Sequence, residues 1–146
     1  METTTFEANK KIARQFFEYF AKGDIQQVEN LWGANYQHHF PGNPKPLNKE
    51  ESKQMMKGYI AGFPDLKFNI EDQVAEGDRV VTRISANGTH KNEFQGIPAT
   101  NKKVAITGIS THRIVNGKIE EEWTEFDALG IMKQIGAVAE PAHAQY

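Results

Sequence analysis

The spacing of hydrophobic residues changes once along this chain. In the N-terminal part, apolar residues recur three and four positions apart, which is typical of one face of a helix: Ile12, Ala13, Phe16, Phe17 and Phe20. From Leu66 onward, apolar and polar residues alternate, which is typical of β-strands with one buried face. The pattern therefore predicts helices first and strands afterwards.

Local signals place the ends of three N-terminal helices. Gly23 ends the first helix, and Asp24 begins a short second one. Asn48, with Glu51 three residues later, matches a capping box at the start of the third helix. Pro64 ends that helix, because the residue before a proline disfavours helical backbone.

The remaining predicted elements are mostly extended segments. A short extended segment is predicted at residues 36–40, and one or two helical turns are predicted at residues 129–135. Asn116-Gly117 is a strong hairpin signal. Four longer strands are predicted at residues 66–75, 79–90, 102–115 and 118–127.

Helices followed by a meander of strands indicate an α+β fold in which the helices pack on one face of an antiparallel sheet. Sheet twist should curl these strands around the N-terminal helices and leave a pocket between the two layers. We expect one domain over residues 1–146, with residues 138–146 as a mobile tail.

Composition excludes several classes of function. Lys and Arg number 17 against 19 Asp and Glu, a net charge of -2 that offers no electrostatic footprint for nucleic acid or an anionic membrane. The absence of Cys excludes disulfides, thiolate metal sites and a cysteine nucleophile. No apolar run is long enough to span a membrane and no signal peptide is visible, so we predict a cytoplasmic protein.

The hairpin at Asn116-Gly117 yields a predicted register. A two-residue turn places Val115 opposite Lys118 and, counting back, Ser110 opposite Trp123. Alternation then assigns six polar or aromatic residues to one face, which Trp123 suggests is the concave one: Ser110, His112, Glu121, Trp123, Glu125 and Asp127.

Asp127 is the leading candidate for acid/base chemistry. Phe126, Leu129 and Ile131 surround it in sequence, and a carboxylate in an apolar cavity has its pKa raised toward the useful range for a general base. The alternative interpretation makes Glu120 to Glu122 and Glu125 a solvated edge, with Trp123 the only inward residue, and makes Asp127 a cap or a surface charge. The position of the Asp127 carboxylate decides between the two.

The histidines do not predict a metal site. His38 and His39 are adjacent on an extended segment, so they point to opposite faces, and His90 stands alone. No histidine spacing matches a zinc motif, and no phosphate loop or dinucleotide fingerprint occurs. We expect neither metal nor cofactor.

An ordered series of short motifs resembles the SnoaL-like polyketide cyclases, also called the ester cyclase group, of the nuclear-transport-factor-2-like superfamily. The resemblance runs from about Ile12 to Gly136. The motifs are Phe63-Pro64-Asp65-Leu66, Glu76-Gly77-Asp78-Arg79-Val80, Gly88-Thr89-His90, Phe94-Gln95-Gly96-Ile97-Pro98-Ala99-Thr100, Arg113, Asn116-Gly117-Lys118-Ile119, Trp123, Asp127 and Gln134-Ile135-Gly136.

This resemblance implies a cone-shaped α+β fold with a deep pocket and a homodimer formed through the sheet. It also implies ring closure by aldol condensation without metal or organic cofactor. The family's acidic position falls on Asp127, and its histidine in the Tyr-x-x-His segment falls on His39. Its Gly-Thr-His motif places a further histidine at His90. His112 stands where many relatives carry an apolar residue and could add a polar group to the pocket.

The leading hypothesis is a cyclase or isomerase that acts on a small, apolar carbonyl compound. Asp127, His112 and His39 would be catalytic. The predicted substrate-binding residues are His90, Trp123, Phe16, Phe20, Met56, Tyr59, Phe63 and Glu125. Two alternatives stay open: a small-molecule-binding protein without catalysis, and an interaction protein that pairs through its sheet.

Overall fold

The computed structural model describes residues 2–139. The predicted tail at 138–146 therefore lies mostly outside the described residues. Within them the chain forms four helices and five strands, in the order α1 (Glu2–Ala21), α2 (Ile25–Leu31), β1 (Trp32–His39), α3 (Lys49–Gly62), β2 (Lys67–Glu76), β3 (Arg79–Thr89), β4 (Lys103–Val115), β5 (Lys118–Phe126) and α4 (Ala128–Gln134).

The helices follow the predicted signals. Phe16, Phe17 and Phe20 of α1 are buried, as the apolar stripe requires. At the start of α3 the Asn48 side chain accepts from the Glu51 amide at 2.9 Å, and the Glu51 carboxylate accepts from the Asn48 amide at 3.0 Å. The capping box is thus confirmed, and it satisfies backbone donors that the first turn leaves unpaired.

The strands form one sheet in the order β1-β5-β4-β3-β2. Strands β2 to β5 pair antiparallel, as predicted, whereas β1 runs parallel to β5. The sheet is therefore mixed, and the prediction of a wholly antiparallel sheet is wrong at this edge. The connection through α3 separates β1 from the meander, and nothing in the alternation of β1 specifies the direction of its partner.

A β-bulge at Glu120 changes the predicted register of the last hairpin. Asn116 and Gly117 have positive φ angles of 50° and 78°, and Val115 pairs with Lys118 as predicted. Ile114 then pairs with Ile119, but Arg113 pairs with Glu121, so Glu120 has no partner. One extra residue moves every later side chain of β5 to the opposite face.

The bulge is accommodated by the neighbouring strand. Gly33 of β1 lies directly against the Glu120 carboxyl group, where a β-carbon would clash with it. Glycine at this position leaves the space that the Glu120 carboxyl group occupies. The register of β1 against β5 also shifts between Trp32 and Gln37, in the same part of the sheet.

The core lies between the helices and the concave face of the sheet. One apolar cluster joins α1 and α2 to β1, β3, β4 and β5, and a smaller one groups Phe63 and Phe94 with Val104, Ile131 and Ile135. None of the described helices has the length and apolarity needed to cross a membrane.

Candidate functional site

The main pocket lies between the helices and the concave face of the sheet. Its volume of about 100 Å³ leaves room for a small organic molecule. It lies between the two layers, as predicted, and is partly open to solvent. Its apolar walls include Phe16, Phe17, Phe20, Phe40, Met55, Tyr59, Phe63, Leu66, Phe68, Ile84, Val104, Ile106, Phe126 and Ile131.

Four polar residues lie along one side of the main pocket, although nearly all the surface that the pocket presents is apolar. His38 comes from β1, Ser110 from β4, and Glu122 and Thr124 from β5, and all four side chains line the pocket. We call these four residues the polar corner. A mostly apolar pocket with a few convergent polar groups is typical of a small-molecule site.

Glu122 is the centre of the polar corner and is 1% exposed. The Tyr36 hydroxyl donates to its Oε1 at 2.7 Å, and the Thr124 hydroxyl donates to its Oε2 at 3.1 Å. Nε2 of His112 lies 3.3 Å from the same Oε2. The buried carboxylate is thus held by donors and histidine rings rather than by water, as a buried charge requires.

Thr124 connects Glu122 to the other members of the polar corner. Its hydroxyl has one hydrogen, which goes to the carboxylate, so its other neighbours must donate to it. These neighbours are Nε2 of His38 at 2.8 Å and the Ser110 hydroxyl at 3.2 Å. His38 therefore carries a hydrogen on Nε2 in this arrangement.

The pKa values indicate which members of the polar corner carry charge. Burial opposes ionisation of Glu122, but the His38 and His112 rings and the hydrogen bonds outweigh it and hold the pKa of Glu122 well below its usual range. Burial is also the main influence on His38, where it lowers the pKa of the ring against the pull of Glu122. At neutral pH the polar corner holds an ionised carboxylate and a neutral His38.

Neutral His38 is arranged as a proton acceptor. With Nε2 donating to Thr124, the lone pair is on Nδ1, which makes no hydrogen bond to any other described residue. Glu122 Oε2 lies 3.7 Å from Nε2 and would stabilise the charge that forms when Nδ1 gains a proton. This arrangement can move a proton to and from a substrate carbon or oxygen.

Two tyrosines near the pocket stay neutral. Burial first, and then the Glu122 charge and hydrogen bond, raise the pKa of Tyr36 well above its ordinary value. Burial alone raises the pKa of Tyr59 to about 12. Tyr59 lines the pocket, and its hydroxyl has no hydrogen-bond partner in the described part of the chain. It is therefore available to donate to a ligand.

Asp127 does not occupy the predicted position. Its carboxylate accepts from the Gly130 amide at 2.8 Å and caps the N-terminus of α4. The side chain is exposed and does not line the pocket. The prediction of Asp127 in an apolar cavity is therefore wrong. A catalytic role for Asp127 then rests on the resemblance alone.

Three other predicted site residues lie on the outer face of the sheet. The bulge turns Trp123 and Glu125 outward, together with Glu121. Nε2 of His39 donates to Glu121 Oε2 at 2.6 Å, and the ring stacks on Trp123 with centroids 5.1 Å apart. The predicted shared face of Glu121, Trp123 and Glu125 with His112 is therefore wrong.

The remaining predicted substrate-binding residues lie partly in the pocket and partly in the core. Phe16, Phe20, Tyr59 and Phe63 line the main pocket, but Met55 does so in place of Met56, which is buried in the core.

Two predicted histidines are buried outside the pocket. His90 makes a 2.9 Å contact from Nδ1 to Thr100. His112 is buried behind Glu122 and packs on Phe16 at 5.0 Å between ring centroids. Neither His112 ring nitrogen has a hydrogen bond of good geometry.

The sequence interpretation missed Glu122, His38, Thr124 and Tyr36. Glu122 and Thr124 were missed because the bulge reverses the faces of β5. His38 was missed because alternation places adjacent histidines on opposite faces without showing which of them faces inward. The buried Tyr36, four residues after Trp32, was the available signal, because Tyr36 and His38 share a face in regular alternation.

Among residues 2–139 no group of three acidic or histidine side chains is arranged to hold a metal ion.

The fold and the pocket define a class: an α+β protein of the nuclear-transport-factor-2-like type with a small-molecule pocket in the concave face of its sheet. Residues 10–135 match the family model described as SnoaL-like polyketide cyclase. The chain belongs to this family.

Solved structures agree with this assignment. IdmH from Streptomyces antibioticus, a proposed polyketide cyclase, is 29% identical over 88% of this chain and 98% of its own, with a TM-score of 0.80. A proposed polyketide cyclase from Acidithiobacillus ferrooxidans is also 29% identical, over 90% of this chain and 96% of its own, with a TM-score of 0.79.

A third solved structure is similar in fold alone. AclR from Streptomyces galilaeus, a proposed hydroxylase, has a TM-score of 0.86 at 23% identity, over 94% of this chain and 87% of its own. No match was found among the curated proteins.

Proposed function

We propose that this protein is an acid/base cyclase or isomerase that acts on a small, largely apolar carbonyl compound and needs no cofactor. The observation that carries the proposal is the polar corner, where a neutral His38 is linked through Thr124 to the buried Glu122 carboxylate. A base placed at the wall of an apolar pocket removes protons from weakly acidic carbon far better than the same base in water.

In the proposed reaction Nδ1 of His38 takes a proton from the carbon next to a substrate carbonyl. The C–H electron pair becomes the C=C bond of an enolate, and the negative charge moves to oxygen. The neutral Tyr59 hydroxyl is the candidate donor to that oxygen. In an isomerase, His38 returns the proton to another carbon. In a cyclase, the enolate carbon attacks a second carbonyl, and the new alkoxide takes the proton from His38.

The family supports the substrate class. The matched family and two of its structural relatives are described as polyketide cyclases, whose substrates carry several carbonyl groups along a carbon chain. The apolar walls, including the predicted Phe16, Phe20, Tyr59 and Phe63, suit the hydrocarbon part of such a molecule.

The direct test is hydrogen exchange at carbon. Small 1,3-diketones and aryl ketones are incubated with the protein in D₂O, and loss of the α-hydrogen signal is followed by proton NMR. We expect His38→Gln to slow the protein-dependent exchange by about 100-fold, a typical contribution of a general base. His39→Gln is the matched control, since the adjacent histidine lies on the outer face; equal effects of the two substitutions would refute the assignment.

Binding without turnover is the second candidate function. It is favoured by the hydrogen bonds within the polar corner, because the Ser110 and Thr124 hydroxyls and the Glu122 carboxylate already have partners among other side chains. In that case ketones would bind to the main pocket, and exchange at their α-carbon would match the buffer rate.

We also propose a homodimer that forms through the outer face of the sheet. Val74 of β2 and Ile109 of β4 are 66% and 46% exposed there, on the same face as the stacked His39 and Trp123. Light scattering coupled to gel filtration measures the mass directly. A mass of one chain, 16.5 kDa, at micromolar concentration would contradict this part of the proposal.

A further inference from the structure

A second pocket adjoins the main pocket at Tyr59. Its volume is about 180 Å³, and it shares Tyr59 and Ile131 with the main pocket. The rest of its wall consists of Phe94, Gln95, Ala128, Leu129 and Met132. Two cavities that share two side chains are separated by little more than those side chains.

Tyr59 contacts an aromatic residue of each pocket. Its ring centroid lies 5.0 Å from that of Phe94, which lines the second pocket, and 6.1 Å from that of Phe126, which lines the main pocket. Leu129 is 55% exposed at the second pocket. An exposed leucine beside an aromatic wall offers apolar surface that a ligand could cover.

Gln95 is an unusual residue for its backbone position. Phe94 and Ile97 exchange backbone hydrogen bonds of 3.0 and 2.9 Å around a two-residue turn, in which Gln95 and Gly96 have φ angles of 50° and 81°. Such turns favour Asn or Asp before Gly, because few other side chains adopt positive φ readily. Gln95 makes this turn less stable than Asn or Asp would, and it places a longer side-chain amide beside the second pocket.

We propose that the second pocket is a subsite for the part of the substrate that is remote from the reacting carbonyl. Its chemistry fits an aromatic or branched apolar group, with one oxygen placed to accept a hydrogen bond from the Gln95 amide. The substrate is then an extended ketone whose head reaches the polar corner and whose far end lies against α4. This inference rests on the proposed function, because it assumes that a ketone occupies the main pocket.

The test compares two ketones by isothermal titration calorimetry. One is acetophenone, and the other is acetophenone carrying a terminal phenyl ring on a four-carbon ether chain. We expect the extended ketone to bind at least tenfold more tightly, because a buried phenyl ring adds apolar contact. Ala128→Phe, which fills the second pocket from an exposed position, should remove this advantage and leave the affinity for acetophenone within about twofold.

Gln95→Asn separates recognition from folding. Asn suits the turn at least as well as Gln, so the melting temperature should stay the same or rise. The shorter amide should weaken binding of the extended ketone by about fivefold, the effect of one hydrogen bond.

Equal affinity for the two ketones, or no binding of either, would overturn the subsite, as would an advantage that survives Ala128→Phe. These outcomes differ from failure of the proposed function, which appears as absence of His38-dependent exchange in D₂O. A protein that exchanges small diketones but binds both ketones equally keeps its function and loses the subsite.

Discussion

The two faces of the sheet carry nearly the same residues in very different surroundings. On the inner face, His38 and Glu122 are buried and linked through Thr124. On the outer face, their chain neighbours His39 and Glu121 are partly exposed and pair directly at 2.6 Å. The same side-chain types therefore form a buried hydrogen-bonded cluster on one face and a partly exposed ion pair on the other. Burial, rather than residue type, separates the two.

The pKa shifts of the two glutamates show how this difference arises. Burial raises the pKa of each glutamate, and neighbouring side chains lower it by a larger amount. For Glu121 these neighbours are His39 and Arg113, which donate hydrogen bonds at a surface that water can reach. Glu122 is shielded from water, so its negative charge is stabilised by His38, His112 and Tyr36 instead. Losing a partner should therefore matter far more on the inner face.

The largest effect expected from breaking this comparison is on stability. Glu122→Gln removes the charge that holds two histidine rings and replaces an acceptor of two donors with an amide. We expect a loss of about 3 kcal/mol in the free energy of unfolding, since removing one member of a buried charged network leaves the others unpaired. Urea denaturation followed by circular dichroism measures it.

Glu121→Gln is the matched control for that substitution. Exposed ion pairs contribute less than about 1 kcal/mol, so its unfolding curve should nearly coincide with that of the native protein. Equal losses for Glu121→Gln and Glu122→Gln would contradict the contrast between the faces.

Lowering the pH should have an intermediate effect on stability. The folded-state pKa values of Glu122 and His38 are both lowered, so each group binds protons more readily in the unfolded chain. Stability is then fully present above the ordinary histidine pKa of about 6.5 and falls as the pH drops, first through His38 and then, below about 4.5, through Glu122. Thermal melts between pH 8 and pH 4 follow this loss, and a melting temperature that rises toward pH 5 would contradict it.

The smallest effect is expected at Asp127. Asn caps helices about as well as Asp, so Asp127→Asn should change the free energy of unfolding by less than about 0.5 kcal/mol. We also expect α-hydrogen exchange within twofold of the native rate, measured beside His38→Gln. A loss of exchange comparable to that of His38→Gln would return Asp127 to the catalytic role that the family resemblance implies.

Much of the fold was predictable because periodicity and capping are local. The stripe of α1, the capping box at Asn48 and the Asn116-Gly117 turn each depend on residues within a few positions of one another. The parallel pairing of β1 with β5 was not predictable, since it joins segments about 85 residues apart and no local signal specifies it.

The site was harder to predict, because it depends on a single unpaired residue. Phe16, Phe20, Tyr59 and Phe63 could be predicted from apolar spacing, and they line the pocket. The polar corner could not, because alternation counted from the turn remains regular until Glu120 interrupts it. Three consecutive glutamates offer no contrast in hydrophobicity that would show which of them is the extra residue.

The Glu120 bulge also bears on how this chain should be compared with its relatives. A relative that lacks the extra residue would need a one-position gap at Glu120 before its acidic positions could be matched to Glu121 and Glu122. An ungapped alignment would equate an inward carboxylate in one protein with an outward one in another. Catalytic residues copied along such a column would be assigned to the wrong side of the sheet, even where the identity on either side of the gap is high.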